Sequence, residues 1–247
     1  MMPESLAAML APPLDHHAKI WRYISISKYL NLLQSKSLYF TRSDRFDDPF
    51  EGSSTECTIQ DREEFFRSAG FECKPSSDID AFFNKLRSCT FINCWHMNEH
   101  ESEAMWRLYG HADELVSIQS TYNALSNALG SANITGIGIV RYIDYSRDRT
   151  GPLNTLTNFL HKRKSFEHEK EIRAIIQILT DKNGDLSDPD AQPEGIAVPV
   201  VLEELISCVY VSPLSPSWFQ AVVQRATENC GYSFSVNRSV LANTPVY

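Results

Sequence analysis

Residues 166–175 read FEHEKEIRAI and place Glu167, Glu169, Glu171 and Arg173 on alternate positions. Side chains two apart share a face of a β-strand, so an extended segment would gather three carboxylates and a guanidinium on one side. The other alternates, Ile172, Ala174, Ile176 and Ile178, are apolar, as for a strand with one buried face. A helix would pair Glu169 with Arg173 but oppose Glu167 to Glu171. The run AIIQIL favours the strand and puts the acids at its entry. Such acids can blunt an exposed edge against aggregation. Three alternate carboxylates beside Lys162, Arg163 and Lys164 read instead as a ligand-binding or catalytic site, where a carboxylate can steady developing positive charge.

Other segments carry matching chemistry. Arg22 stands between Trp21 and Tyr23 in an otherwise apolar strand. A planar guanidinium there suits a phosphate or carboxylate, while an edge arginine snorkelling to water is the plain alternative. Asp47-Asp48-Pro49-Phe50-Glu51 lies in a polar loop. It reads either as an Asx turn closed by Asp47, or as a cleft wall in which Asp48 and Glu51 hold a ribose or a basic partner. Met105, Trp106 and Tyr109 form a ridge on the helix expected at 101–110. Met105 reads as core, whereas Trp106 and Tyr109 bring flat faces with polar handles. Cys94, His96 and His100 match no familiar zinc spacing, and no metal is expected.

The elements that must position these groups are strands interleaved with helices. Strands are expected at 19–25, 37–42, 90–97, 114–120 and 136–146, and again at 195–201 and 207–213. Helices are expected at 25–36, 61–70, 77–88, 121–130, 153–164 and 215–231, the last capped by Ser215 with Pro216 at its first position. Residues 180–195 read as an exposed acidic loop. Residues 1–15 read as a flexible arm, 16–231 as a single α+β domain with a mixed or antiparallel sheet and flanking helices, and 232–247 as a tail with at most an edge strand.

Composition sets the bounds. The 247 residues are 43% hydrophobic and 22% charged, and the formal charge is −8. That charge disfavours nucleic acid and anionic lipid as partners, leaving room for a local basic groove. Six scattered cysteines read as free thiols of a reducing compartment. No stretch approaches a membrane helix or a convincing signal peptide, and a cytoplasmic location is expected.

Taken in order, several motifs resemble a bacterial domain family of unknown function. They are Arg22, Leu38-Tyr39-Phe40, Asp47-Asp48-Pro49-Phe50-Glu51, Cys94-Trp95, Met105-Trp106-Arg107-Leu108-Tyr109 and Glu169-Lys170-Glu171-Ile172-Arg173. Asp47 stands where many members carry Asn. The order of motifs is also similar, more loosely, to ADP-ribosyltransferases, which would make the fold ADP-ribosyltransferase-like. That resemblance implies NAD as substrate, Arg22 on the dinucleotide, and Tyr39, Trp106 or Tyr109 beside the nicotinamide. Glu171 or Glu169 would then act at the ribose. The Ser-Thr-Ser segment of many such enzymes is missing.

Two functions stay open from the sequence. In one, the chain cleaves NAD and transfers ADP-ribose to a macromolecular acceptor whose identity is unknown. In the other, Arg22, Asp48, Glu51, Glu169, Glu171 and Arg173 form a structural ion network in a non-catalytic module that docks a protein partner. An open cleft shared by Arg22 and the two glutamates would mark the first. Full pairing without a cavity would mark the second.

Overall fold

The structure is a computed structural model that describes residues 10, 12–70, 75–109, 112–132, 134–150, 155–180, 188 and 190–245. Most of the expected arm and half of the expected acidic loop fall outside the described residues. Local signals account for several elements. Strand β1 (Lys19–Ser25) ends at Ser25, whose side chain accepts from Lys28 N and caps helix α1 (Ile26–Ser35). Tyr29, Leu32 and Leu33 form the buried stripe of α1. Thr55 caps α2 (Glu56–Ser68), and Pro75 opens α3 (Pro75–Ser88). Ser102 caps the short α4 (Glu103–Leu108), and Thr121 caps α5 (Tyr122–Leu129). Helices α6 (Leu202–Leu205) and α7 (Phe219–Asn229) complete the set.

The fold is α+β, with a mostly antiparallel nine-stranded sheet among the described residues. Its other strands are β2 (Ser37–Arg42), β3 (Thr90–Met97), β4 (Leu115–Thr121), β5 (Gly136–Ile139), β8 (Glu171–Gln177), β9 (Gly195–Pro199), β10 (Cys208–Val211) and β11 (Val236–Arg238). Strands β6 (Arg141–Ile143) and β7 (His161–Arg163) form a separate parallel pair. Apolar residues of α1, α5, α6 and α7 cover one sheet face in the main core, around Ile20, Trp95, Ile118 and Ile172. On the other face α3 packs Phe83 and Leu86 near Ile92, Phe159 and Ile175, and α4 sets Met105 and Trp106 against Trp21 and Tyr23. Each fully buried side chain of this size contributes about 1.5–3 kcal/mol.

The strand that positions the site is β3. One of its edges pairs with β8 from Thr90 to His96. Its other edge is divided. β1 pairs with it at Met97 and His96, and β2 pairs at Ile92 and Phe91. Between those contacts Asn93, Cys94 and Trp95 meet neither strand, so β1 and β2 diverge and the sheet is open there. Side chains replace the missing ladder. Asn93 Nδ2 donates to Tyr39 O at 2.9 Å, and Arg22 Nη1 to Cys94 O at 3.3 Å. A split of this kind lets groups from both sheet faces reach one cleft.

Four expectations are corrected. The segment 136–146 is two short strands in different sheets: β5 pairs with β8, with Val140 N still donating to Glu171 O in the same register, whereas β6 pairs with β7. The described part of 153–164 is a 3-10 turn (Thr157–Leu160) followed by β7, not a helix. Helix α7 begins at Phe219, and Ser215 Oγ donates to Ser212 O within the preceding turn rather than capping it. The segment 232–238 joins the core, with Tyr232, Phe234 and Val236 buried and β11 parallel to β10. No helix among the described residues is long and apolar enough to cross a membrane. The cysteines among the described residues are unpaired.

The loop before α2 is shaped by one glycine. Gly52 has φ +72°, and a Cβ there would lie 2.4 Å from a ring carbon of buried Phe159. Gly52→Ala should therefore cost about 2 kcal/mol or more, through left-handed strain and overpacking. The check is the urea midpoint, which an unstrained, roomy turn would leave unchanged.

Candidate functional site

The opening between β1 and β2 is a cleft of about 510 Å³. Arg22, Asp48, Glu51, Tyr109, Glu169 and Glu171 line it, with Phe46, Cys94, His96, Lys162 and Phe166. Four separated segments of the chain therefore converge on one cavity. Arg173 lies behind the wall, fully buried. Trp106 is not part of the lining. It is buried against Tyr23, with ring centroids 4.9 Å apart, and its indole N–H donates to Glu101 at 3.1 Å. Tyr39 is absent too. It is 46% exposed, and its ring covers Gly195. The nicotinamide-side role expected for Trp106 and Tyr39 has no geometric basis, because each ring is committed elsewhere in the fold.

The acids do not share one strand. Lys164–Glu169 is a 3-10 turn, Lys170 takes a left-handed conformation at φ 41°, and β8 begins only at Glu171. Glu167 is consequently exposed. The turn at Lys170 re-aims the chain so that Glu169 and Glu171 both reach Lys162. Lys162 Nζ donates to Glu169 Oε2 and, at 2.8 Å, to Glu171 Oε1. Glu171 and Arg173 do keep strand alternation. Arg173 Nε donates to Glu171 Oε2 at 2.5 Å, and its two terminal nitrogens grip Glu51 at 2.7 and 3.0 Å. Arg173 also donates to Phe159 O at 2.8 Å. The result is a chain of alternating charge, Glu51–Arg173–Glu171–Lys162–Glu169, that ends at the cleft. Every link is charge-assisted, which makes its burial tolerable.

The loop 46–53 is tied to the same wall. Asp48 Oδ1 accepts from Phe50 N at 3.1 Å and from Arg163 Nη2 at 2.8 Å. The Asx turn thus belongs to Asp48, where Asp47 was expected to close it. Arg163 in turn lies 4.5 Å over the Phe50 ring, and Lys162 lies 4.6 Å over Phe166.

Two cleft groups keep hydrogen-bonding capacity that this network does not use. Arg22 is part-buried and pairs with no carboxylate among the described residues; beyond Cys94 O it has only the Trp95 ring, 5.8 Å away. Burial lowers its pKa, although an arginine stays protonated at any physiological pH. It is a cation in search of an anion. Glu169 gives Oε2 to Lys162 and leaves Oε1 without a lysine or arginine partner. Burial, the hydrogen bond its carboxyl makes with that of Glu171, and the charge of Glu171 push Glu169 up to about 7, against the pull of Lys162. Burial works on Glu171 in the same direction, but Arg173, the bond with Glu169 and Lys162 outweigh it and hold Glu171 well below the usual carboxylate range. The pair is thus split into a fixed anion and a group that exchanges a proton near neutrality.

The sequence does not single out Phe166, and it marks His96 only as a candidate metal ligand, yet the alternation of His96 with Cys94 and Ile92 along β3 marks the cleft face. Lys162 was visible as part of a basic run, but its partners depend on the Lys170 turn. Among the described residues no group of three His, Cys, Asp or Glu side chains converges to hold a metal ion.

No family model and no curated protein matches the chain. Among solved structures, the chain is similar to Thermus sp. 2.9 DarT in complex with NAD+. The TM-score is 0.44 at 10% identity, covering 94% of this chain and 100% of that one. It is also similar to Thermus sp. 2.9 DarT in complex with carba-NAD+, with a TM-score of 0.41 at 9% identity, covering 91% and 96%.

The charge chain predicts an asymmetry between the two glutamates. Glu171→Gln leaves Arg173 and Lys162 short of a buried counter-charge and should cost about 3–5 kcal/mol. Glu169→Gln should be far milder and pH-dependent. The folded protein holds a proton on Glu169 more tightly than the unfolded chain does, so this group's stabilisation is lost as pH rises toward about 7. Denaturant titrations should show Glu169→Gln gaining on the wild type from roughly pH 5 to pH 7 and levelling off above. Equal losses for the two variants at every pH would contradict the asymmetry.

Proposed function

We propose that the cleft binds NAD and cleaves its nicotinamide–ribose bond, transferring ADP-ribose to an acceptor. The observation that carries this reading is that an unpaired Arg22 and the Glu169–Glu171 pair open into one cavity. Arg22 supplies a fork for the pyrophosphate, where a bidentate charge-assisted contact is available. Tyr109, Phe46 and Phe166 offer the aromatic faces. NAD supplies the electrophile: the C–N bond breaks with its electron pair leaving on nicotinamide, and the acceptor's lone pair forms the new bond to the ribosyl carbon. Glu171, held ionised by Arg173 and Lys162, provides the fixed negative charge that favours the cationic transition state. Glu169, through Oε1, accepts the acceptor's proton and releases it to solvent. A macromolecular acceptor, or water, completes the reaction.

The pairing of Glu51, Arg173, Glu171 and Lys162 favours a second reading, in which the network is purely structural and the module docks a partner without catalysis. A thermal-shift titration with NAD, followed by a nicotinamide-release assay, separates the two. On the first reading NAD raises the melting temperature by mass action. Arg22→Ala weakens that binding more than Glu169→Gln does, because the phosphates carry the ground-state charge. Glu169→Gln lowers nicotinamide release by about a hundredfold or more while the fold persists. A folded protein with no shift at millimolar NAD would leave the structural reading.

A further inference from the structure

Two polar atoms of the cleft residues are buried without any hydrogen-bond partner: His96 Nε2 and Asp48 Oδ2. His96 is only 3% exposed. Its ring is held at both sides, by a 2.6 Å contact from Nδ1 to the backbone oxygen of Glu169 and by the edge of Tyr23, centroids 6.1 Å apart. A carbonyl can only accept, so Nδ1 carries the proton and Nε2 presents a bare lone pair. Burial lowers the pKa of the ring, with a smaller opposing pull from the Glu169 contact, so the imidazole stays neutral. Ile92, Cys94 and His96 alternate along β3 and share the cleft face. A buried, rigid, neutral acceptor is costly to leave unpaired and rejects a ligand that offers no donor.

Resting on the proposed NAD reading, we infer that His96 is a ligand-binding residue whose Nε2 accepts a hydrogen bond from the nicotinamide-riboside half of the substrate. The donor is a neutral N–H or O–H, from the carboxamide or from a ribose hydroxyl. Because the same ring bonds the backbone of Glu169, the contact also sets the substrate against the exchanging carboxyl. It is a specificity device as well as an anchor.

The test uses His96→Asn. The Asn amide nitrogen sits where Nδ1 does and keeps the bond to Glu169 O, but nothing replaces Nε2. Affinities for NAD and for its deamidated analogue, in which a carboxylate replaces the carboxamide, are measured by calorimetry on the full chain. If the carboxamide is the donor, His96→Asn binds NAD about tenfold more weakly while the analogue is unaffected. If a ribose hydroxyl is the donor, both ligands weaken by the same factor. Unchanged affinity for both overturns the inference while leaving NAD binding intact. Failure of the wild type to bind NAD removes the proposed function itself, and this subsite with it. Should His96→Asn not fold, histidine ring ¹⁵N spectra of the wild type decide. The unprotonated Nε2 resonance of His96 shifts on NAD addition if it accepts a bond, and stays fixed if it does not.

Discussion

Arg173 is the group on which the rest of the site depends. Its guanidinium is fully buried in a strand whose other face belongs to the main core. A cation there is tolerable only if its donors are satisfied, and they are: by Glu51 from the loop, Glu171 from its own strand and Phe159 O from the 3-10 turn. Three separate parts of the chain must therefore close around one side chain. Once they do, Lys162 is drawn between Glu171 and Glu169, and Asp48 is fixed by the turn that delivers Glu51. The wall of the cleft is thus held by charges that pair with one another.

That pairing has a chemical consequence. Two carboxylates share Lys162, but only Glu171 also holds Arg173. The difference in partners separates their affinities for a proton and leaves Glu169 poised near neutrality. The structural network and the candidate catalytic group are thus the same set of residues at different depths. A fully paired interior and an open, unpaired mouth are compatible, and the expectation that pairing and cavity exclude each other does not hold here. The divided edge of β3 adds the other requirement, an opening through which Arg22 reaches from the opposite face of the sheet.

Much of this was legible in the sequence wherever the signal was local. The strand at 19–25, the helix that follows it and the Ile172–Ile176 alternation follow from spacing and hydrophobic period. The grouping of Arg22, Asp48, Glu51, Tyr109, Glu169 and Glu171 was legible because charged and aromatic residues are conspicuous in otherwise apolar segments. Trp106 and Tyr39 misled for the same reason: composition marks a ring as useful, while only packing says whether it is already spent. The left-handed Lys170 carries no sequence signal such as glycine, so the displacement of Glu169 from the strand was invisible. His96 was invisible as an acceptor because its tautomer is set by a carbonyl 73 residues away.

The account is tested most directly by a crystal structure of Glu169→Gln grown with NAD. It predicts the dinucleotide in the cleft between β1 and β2, with the pyrophosphate on Arg22 and the nicotinamide ribose beside residue 169. The Glu51–Arg173–Glu171–Lys162 chain should be unchanged. NAD bound elsewhere, or a cleft in which Glu171 has left Arg173 to pair with Arg22, would contradict it.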